Sequence, residues 1–237
     1  MGFLQGMNEA VALADALLAE LKQRPEIYMV GIAGIPGSGK STLARALAGR
    51  VPGAVVIAMD GYHIPRSRLD AEGLRRRGAA HTFDADVFRA DLTALRRTRS
   101  GVFPTFDHAE KDPRAGAIRV TPAAPLVIVE GLYVLLRDWH AESLFDLRVF
   151  LDCNPDEARV RLFVRHVKAG VSATPEEARH RVETSDRLNA EAILADGCRE
   201  RAQMILRSND DGKRGARAPR QGAWKAKGGH LAMPAFS

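Results

Sequence analysis

The sequence predicts an α/β fold in which a mostly parallel sheet is covered by helices on both faces. Three observations lead there. Short, unbroken apolar runs recur along the chain and read as strands buried on both sides. Between them, apolar residues fall three or four apart, the period of a helix. The first of these runs passes directly into a glycine-rich turn ending in Gly39-Lys40-Ser41, and a helical period follows. That order of strand, phosphate-type loop and helix is the opening unit of a P-loop NTPase three-layer sandwich.

Taken in order, Leu13, Leu17 and Leu21, widened by Ala14 and Leu18, predict an opening helix. Ile27 to Ala33 reads as a buried strand, and Leu43 and Leu47 mark the helix behind the glycine-rich turn. Ala54 to Ala58 is a second strand, ending at Asp60-Gly61-Tyr62-His63. Residues 64–84 are polar and arginine-rich and read as a long loop holding at most a short helix. Val87, Phe88, Leu92 and Leu95 predict a helix that Asp84 caps. Val102 to Phe106 is extended but interrupted by Pro104; Leu126 to Val129 is a core strand ending at Glu130-Gly131; Leu147, Val149 and Leu151 form another. Asn154-Pro155-Asp156-Glu157 and Thr174-Pro175-Glu176-Glu177 are helix starts, with a cap, a proline at the first position and acids in the first turn. Gly170 can end the first of these helices, and Met204 to Leu206 is a final strand. The expected organisation is one domain over 1–208 and a basic tail over 209–237 whose composition predicts disorder.

Composition narrows the function classes. The chain has 237 residues, 46% of them apolar, which suits one sizeable core. No run approaches the roughly 18 apolar residues of a membrane span, and no secretory leader is expected. Cys153 and Cys198 have no metal-like spacing, and two inert thiols fit a cytoplasmic protein. The net charge of +6 resides in residues 212–237, which hold six basic residues and no acid; without them 29 basic residues face 29 acidic ones. A neutral body argues against nucleic acid as the main partner.

The chemistry concentrates at strand ends. Gly34-Ile35-Pro36-Gly37-Ser38-Gly39-Lys40-Ser41 matches G-x-x-x-x-G-K-[ST]. Small residues let backbone N–H groups converge on phosphate oxygens, and the helix that follows adds its positive end. Lys40 is placed to reach the β- and γ-phosphates, Ser41 to ligate Mg²⁺, and Thr42 to contact the α-phosphate. Asp60 and Glu130 each follow an apolar strand, at the edge where parallel sheets bind ligands. One such carboxylate can take a hydroxyl proton and another can hold Mg²⁺ or its waters. Each also precedes a glycine, so a turn cap is the plainer alternative. Arg161, Arg165 and Lys168 share one helix face by spacing; that face can neutralise a transferring phosphoryl group, or be solvated surface.

Beyond the glycine-rich loop, the chain carries Met59-Asp-Gly-Tyr-His63, Arg77-Gly-Ala-Ala-His-Thr-Phe-Asp84, Pro104-Thr-Phe-Asp-His108, Val127-Ile-Val-Glu-Gly-Leu-Tyr133, Arg161 through His166, and Ser185-Asp-Arg-Leu-Asn189. With these segments it resembles the uridine kinase, phosphoribulokinase and pantothenate kinase group of P-loop small-molecule kinases. The likeness runs from about Ile27 to about Leu206. It is nearest to a nucleoside/nucleotide kinase-like branch, some of whose members are labelled "putative fructose transport system kinase". The resemblance implies ATP and Mg²⁺ as cofactors and Asp60 as the general base. It implies Glu130 as the metal-side carboxylate, and His63, Asp84, Phe106, Asp107 and Tyr133 around the acceptor. It also implies a helical lid carrying Arg161 and Arg165. Two departures, Leu132 where that branch often has asparagine and Ala80 where it often has proline, bear on the acceptor pocket. His63 and His108 have a structural alternative.

The expected activity is therefore transfer of the γ-phosphoryl group of ATP to a hydroxyl of a small metabolite: a sugar, a nucleoside or a pantothenate-like alcohol. The acceptor's identity stays open, as does a homo-oligomer. The competing reading is an NTPase switch that works through a protein partner. A guanine-reading Asn-Lys-x-Asp is absent, and Asp70-Ala-Glu-Gly73 matches a switch tetrapeptide without the apolar strand that should precede it.

Overall fold

A computed structural model describes residues 2–21, 26–107, 109–170 and 173–208, and the short pieces 225–226 and 229–230. The expectations for His108 and, apart from those two pieces, for the tail after 208 lie outside the described residues.

Five strands form the central sheet: β1 (Tyr28–Ala33), β2 (Val55–Ala58), β5 (Leu126–Glu130), β6 (Leu147–Asp152) and β7 (Met204–Arg207). Their spatial order is β2-β5-β1-β6-β7, and every adjacent pair is parallel. All carboxyl ends therefore meet along one edge. β1 and β5 are buried at every residue, which is why they read as continuous apolar runs.

Alternate side chains of β1 serve opposite layers. Tyr28, Val30 and Ile32 pack with Leu13 and Leu17 of α1 (Gly2–Leu21) and with Leu43 and Leu47 of α2 (Lys40–Ala48). Met29 and Ala33 face a second core with Phe88, Leu92 and Leu95 of α4 (Ala85–Thr98), together with Tyr133, Trp139 and Ile193. These are the three expected layers. Asp84 caps α4 by accepting from the Val87 N–H at 3.1 Å. Val87, expected on the buried stripe, is instead 47% exposed: the helix turns Phe88, one residue on, into the core. The 64–84 stretch holds α3 (Ala71–Arg75) between two 3-10 turns, and Asp70 caps it through the Gly73 N–H at 2.7 Å.

Two features were not anticipated. The extended piece around Pro104 is β3 (Gly101–Asp107), and it forms an antiparallel hairpin with β4 (Asp112–Val120), outside the central sheet. Pro104 has no N–H to offer the ladder, and the register slips there: Ala115, Gly116 and Ala117 bulge opposite it, with Gly116 at φ +70°.

The second is a π-helical turn, Val182–Asp186, which joins α6 (Pro175–Arg181) to α7 (Arg187–Ala195). α5 (Pro155–Lys168) starts at an Asn154 cap on the Asp156 N–H, and α6 at a Thr174 cap on the Glu177 N–H. α5 stops before Gly170, whose φ is +60°. In the tail, β8 (Lys225–Ala226) and β9 (Gly229–His230) pair antiparallel.

Candidate active site

The site is built along the carboxyl edge of the sheet. β1 ends at Ala33 and the chain turns through Gly37 (φ +79°) and Gly39 (φ +97°) into α2, which begins at Lys40. Those two backbone angles suit glycine. The N–H groups at the start of α2 have no intrahelical acceptor and add the positive helix end to the loop. Gly37 is also where α5 lands, since a Cβ there would lie 2.6 Å from the Ala158 carbonyl oxygen.

Lys40 is buried and folds back over the loop, donating to the Ile35 carbonyl at 3.0 Å and lying 3.4 Å from Ser38 Oγ. Burial pulls its pKa down to about 8, against the partial rescue of the Glu130 and Asp60 carboxylates and with a further push from Arg165. Lys40 thus lies near two carboxyl groups and the exposed Arg165 of α5.

Glu130, the last residue of β5, is in register with Ile32 of β1 and Ala58 of β2. The ladder therefore sets Glu130 between the loop after β1 and the turn after β2. Ser41 donates its hydroxyl to Glu130 Oε1 at 2.7 Å. Burial raises the Glu130 pKa, opposed by Lys40 and by the Ser41 hydrogen bond, and Asp60 raises it further. Ser41 and Glu130 together present oxygen donors of the kind Mg²⁺ takes.

Asp60 follows β2 in a 3-10 turn, Met59–Tyr62. Its neighbours in the turn, Met59, Gly61 and Tyr62, are buried, whereas Asp60 is exposed and its carboxylate holds no hydrogen bond among the described residues. The hairpin packs on this turn so closely that a Cβ on Gly61 would lie 2.5 Å from the Pro104 carbonyl oxygen.

His63 stacks on Phe83 with ring centroids 3.9 Å apart, and lies 5.1 Å from Phe106 of β3. Burial lowers its pKa to about 4; Asp60 opposes this and Arg77 reinforces it. The imidazole is neutral at pH 7, and its Nδ1 is buried without a hydrogen-bond partner.

Other residues implicated by the sequence are engaged in the scaffold. Asp84 is the α4 cap. Asp107 Oδ1 accepts from the Ala109 and Glu110 N–H groups and shapes the hairpin turn. Tyr133 is buried, and its hydroxyl donates to the Gly78 carbonyl at 2.8 Å.

On α5, Arg161 bonds Ser208 Oγ at 2.8 Å and lies 3.4 Å from Glu157. The helix is tied to the π turn by a 2.7 Å contact between His166 Nε2 and Asp186. Sequence reasoning missed Asp112, which accepts from Arg77 at 2.6 Å and from the Arg66 N–H at 3.0 Å. No sequence signal marked it, because the strand it opens was itself unseen. Among the described residues no helix is long and apolar enough to cross a membrane.

Comparison with known proteins identifies the chain's relatives. Residues 29–169 match the phosphoribulokinase / uridine kinase family. A Schizosaccharomyces pombe protein named "Putative uridine kinase C227.14" is 37% identical over 72% of this chain and 79% of its own length. A uridine kinase of Ureaplasma urealyticum is 28% identical over 59% of this chain and 69% of its own. Among solved structures, a "putative fructose transport system kinase" from Silicibacter sp. TM1040 superposes with TM-score 0.71 at 33% identity, covering 78% of this chain and 94% of that one. With a phosphate loop, a strand-end carboxylate pair and a match from β1 to the end of α5, this chain belongs to the phosphoribulokinase / uridine kinase family of P-loop kinases.

Proposed function

We propose that the chain is an ATP:alcohol phosphotransferase, moving the γ-phosphoryl group of ATP to a hydroxyl of a sugar, nucleoside or pantothenate-like alcohol. One observation carries the reading. Asp60 is an exposed carboxylate with no hydrogen bond among the described residues, on the same sheet edge as Lys40, Ser41 and Glu130. A carboxylate on that edge can take the proton of a hydroxyl that enters there.

ATP and Mg²⁺ fit the residues present: a loop with two left-handed glycines, a helix start, a buried lysine, and a hydroxyl and carboxylate 2.7 Å apart. Bound together, they supply the phosphoryl group and the cation that offsets its charge. The protein's own part is position and proton. Lys40 neutralises phosphate oxygens, and Ser41 and Glu130 hold the metal side. Asp60 accepts the proton of the attacking hydroxyl. His63 and Phe106 wall the acceptor side, with Asp84, Asp107 and Tyr133 around it. Arg165 and Arg161 close over the phosphates from α5 and exclude water. The switch alternative has less support, since Asp70 of its only tetrapeptide is spent on capping α3.

The test is ATP consumption with Mg²⁺ against a panel of sugars, nucleosides and vitamin alcohols, with Asp60→Asn in parallel. A stimulating alcohol is expected, and Asp60→Asn should cut that stimulated rate by about 10²–10⁴-fold. Basal hydrolysis that no alcohol raises, and that the variant leaves intact, would sink the proposal in favour of the switch.

A further inference from the structure

Arg77 lies outside the phosphate machinery yet touches both strands of the hairpin and the loop after the Asp60 turn. Its Nη1 donates to the Lys111 carbonyl at 2.7 Å, and its Nη2 to Asp112 at 2.6 Å and to the Ile64 carbonyl at 3.4 Å. Its guanidinium carbon stands 5.7 Å from the centre of the Phe106 ring. The side chain is 13% exposed.

Asp112, at the foot of β4, also accepts from the Arg66 N–H. Desolvation works against its ionised form, but the Arg77 and Arg66 contacts outweigh it and hold its carboxyl below the ordinary value. Behind Arg77 the backbone is held as firmly. The Arg77 carbonyl accepts from Arg181, and the Gly78 carbonyl from Tyr133 Oη and Asn189 Nδ2. One side chain thus fastens the turn end of the β3–β4 hairpin to a segment anchored in α6, α7 and the loop after β5.

We infer that Arg77 and Asp112 form a latch that positions the hairpin, and with it Phe106, against the acceptor, so that this ion pair sets acceptor affinity. The inference rests on the kinase reading and deepens it. The Phe106 ring of the hairpin lies 5.1 Å from that of His63, and His63 ends the turn that carries Asp60. The base of the hairpin is fixed independently, by buried Phe103 and Val120 and by the contact of Pro104 with Gly61. The latch therefore governs the tip, where the acceptor is contacted, and not whether the hairpin forms. Both latch residues are positioning residues: neither touches the nucleotide loop.

The experiment compares wild type, Arg77→Met, Asp112→Asn and the double variant by two readouts. The first is hydrogen–deuterium exchange of the free proteins. Residues 105–113 should lose protection in each variant, while the peptides of β1, β5 and α2 stay at wild-type exchange. The second is steady-state kinetics with Mg·ATP and whichever alcohol stimulates turnover. Acceptor KM should rise on the order of tenfold, with kcat and the KM for ATP within about twofold of wild type. The double variant should match Arg77→Met, because Asp112→Asn removes only the ion pair that Arg77→Met already breaks, whereas Arg77→Met also gives up the Lys111 and Ile64 carbonyls. Unchanged exchange at the tip overturns the latch, as does an equal loss in the KM for ATP. If Arg77→Met fails to fold, Asp112→Asn still decides, since its side-chain carbonyl can keep the Arg66 contact. Should no alcohol stimulate turnover, the kinase reading falls while the exchange data still judge the latch by itself.

Discussion

At the scale of single residues the phosphate loop gives the sharpest expectations. Lys40 has a pKa of about 8 in the fold and an ordinary value of 10.5. Between those values the unfolded chain holds a proton that the folded chain has released, so stability rises with pH across that window. Below it both states are protonated, and the full cost of burying the charge is felt. Lys40→Met should therefore unfold at higher urea than wild type at pH 7, with the advantage shrinking between pH 8 and 10.5. A constant difference across that range would show that the lysine does not titrate there. Wild-type affinity for ATP, measured by calorimetry, should weaken over the same window as the ammonium charge is lost. Gly37 gives a steric counterpart: Gly37→Ala forces a Cβ toward the Ala158 carbonyl in a left-handed backbone. A loss of roughly 1–3 kcal/mol in thermal or urea stability is expected, with weaker nucleotide binding. His63, with its pKa near 4, should show one neutral imidazole by NMR from pH 5.5 upward, and contribute no inflection near pH 6.5 to the rate profile.

At the scale of elements, Asp84 separates two roles that the sequence could not. It caps α4, so Asp84→Ala should cost about 1 kcal/mol by loss of the cap. Asp84→Asn keeps a capping oxygen and should leave stability almost unchanged. If the asparagine variant nevertheless loses alcohol-stimulated turnover, the carboxylate meets the acceptor; if turnover survives, Asp84 is a cap alone. The π turn has an equally local logic. Arg181 and Asn189 are eight residues apart and would sit about 80° apart around an α-helix. The wider turn at Val182–Asp186 brings them to one side, where both reach the Arg77–Gly78 backbone, while Asp186 reaches His166.

Such elements also mark where the sequence stopped being legible. The central strands were readable because parallel strands between two helical layers are apolar throughout. The two proline-led helix starts were readable because their caps are local chemistry. β4 was invisible: of Asp112 to Val120 only Val120 is buried, so no alternation betrays a strand. The π turn was invisible for another reason, since its cause is the position of distant partners and not the five residues that form it. For the site, the loop motif and the strand-end acids located Lys40, Ser41, Asp60 and Glu130. The engagement of Tyr133 with Gly78 and of Asp107 with the hairpin turn depends on tertiary contacts that spacing does not encode.

At the scale of the whole molecule, parallel order decides the geometry of the chemistry. Glu130 pairs with both β1 and β2, so the start of α2 at Lys40 and the turn carrying Asp60 come to one edge. The nucleotide half of the site rests on the sheet itself. The positive excess lies in one stretch of the sequence: residues 212–237 hold the whole net charge of +6. A chain shortened to end at residue 211 should keep its thermal midpoint and its alcohol-stimulated turnover, and elute from a cation-exchange column at lower salt. Loss of turnover with the midpoint intact would give the tail a catalytic duty.

The acceptor half, as proposed above, is attached differently. β3 and β4 pair with each other and with no strand of the central sheet, so replacing them breaks no rung of the ladder that carries Lys40 and Glu130. On the proposed reading, a chain built in this way can change what it phosphorylates by exchanging one segment that leaves the ladder beneath the nucleotide loop intact. Substrate preference in such a lineage would drift faster than nucleotide preference, and a hairpin transplanted between relatives would carry its preference with it.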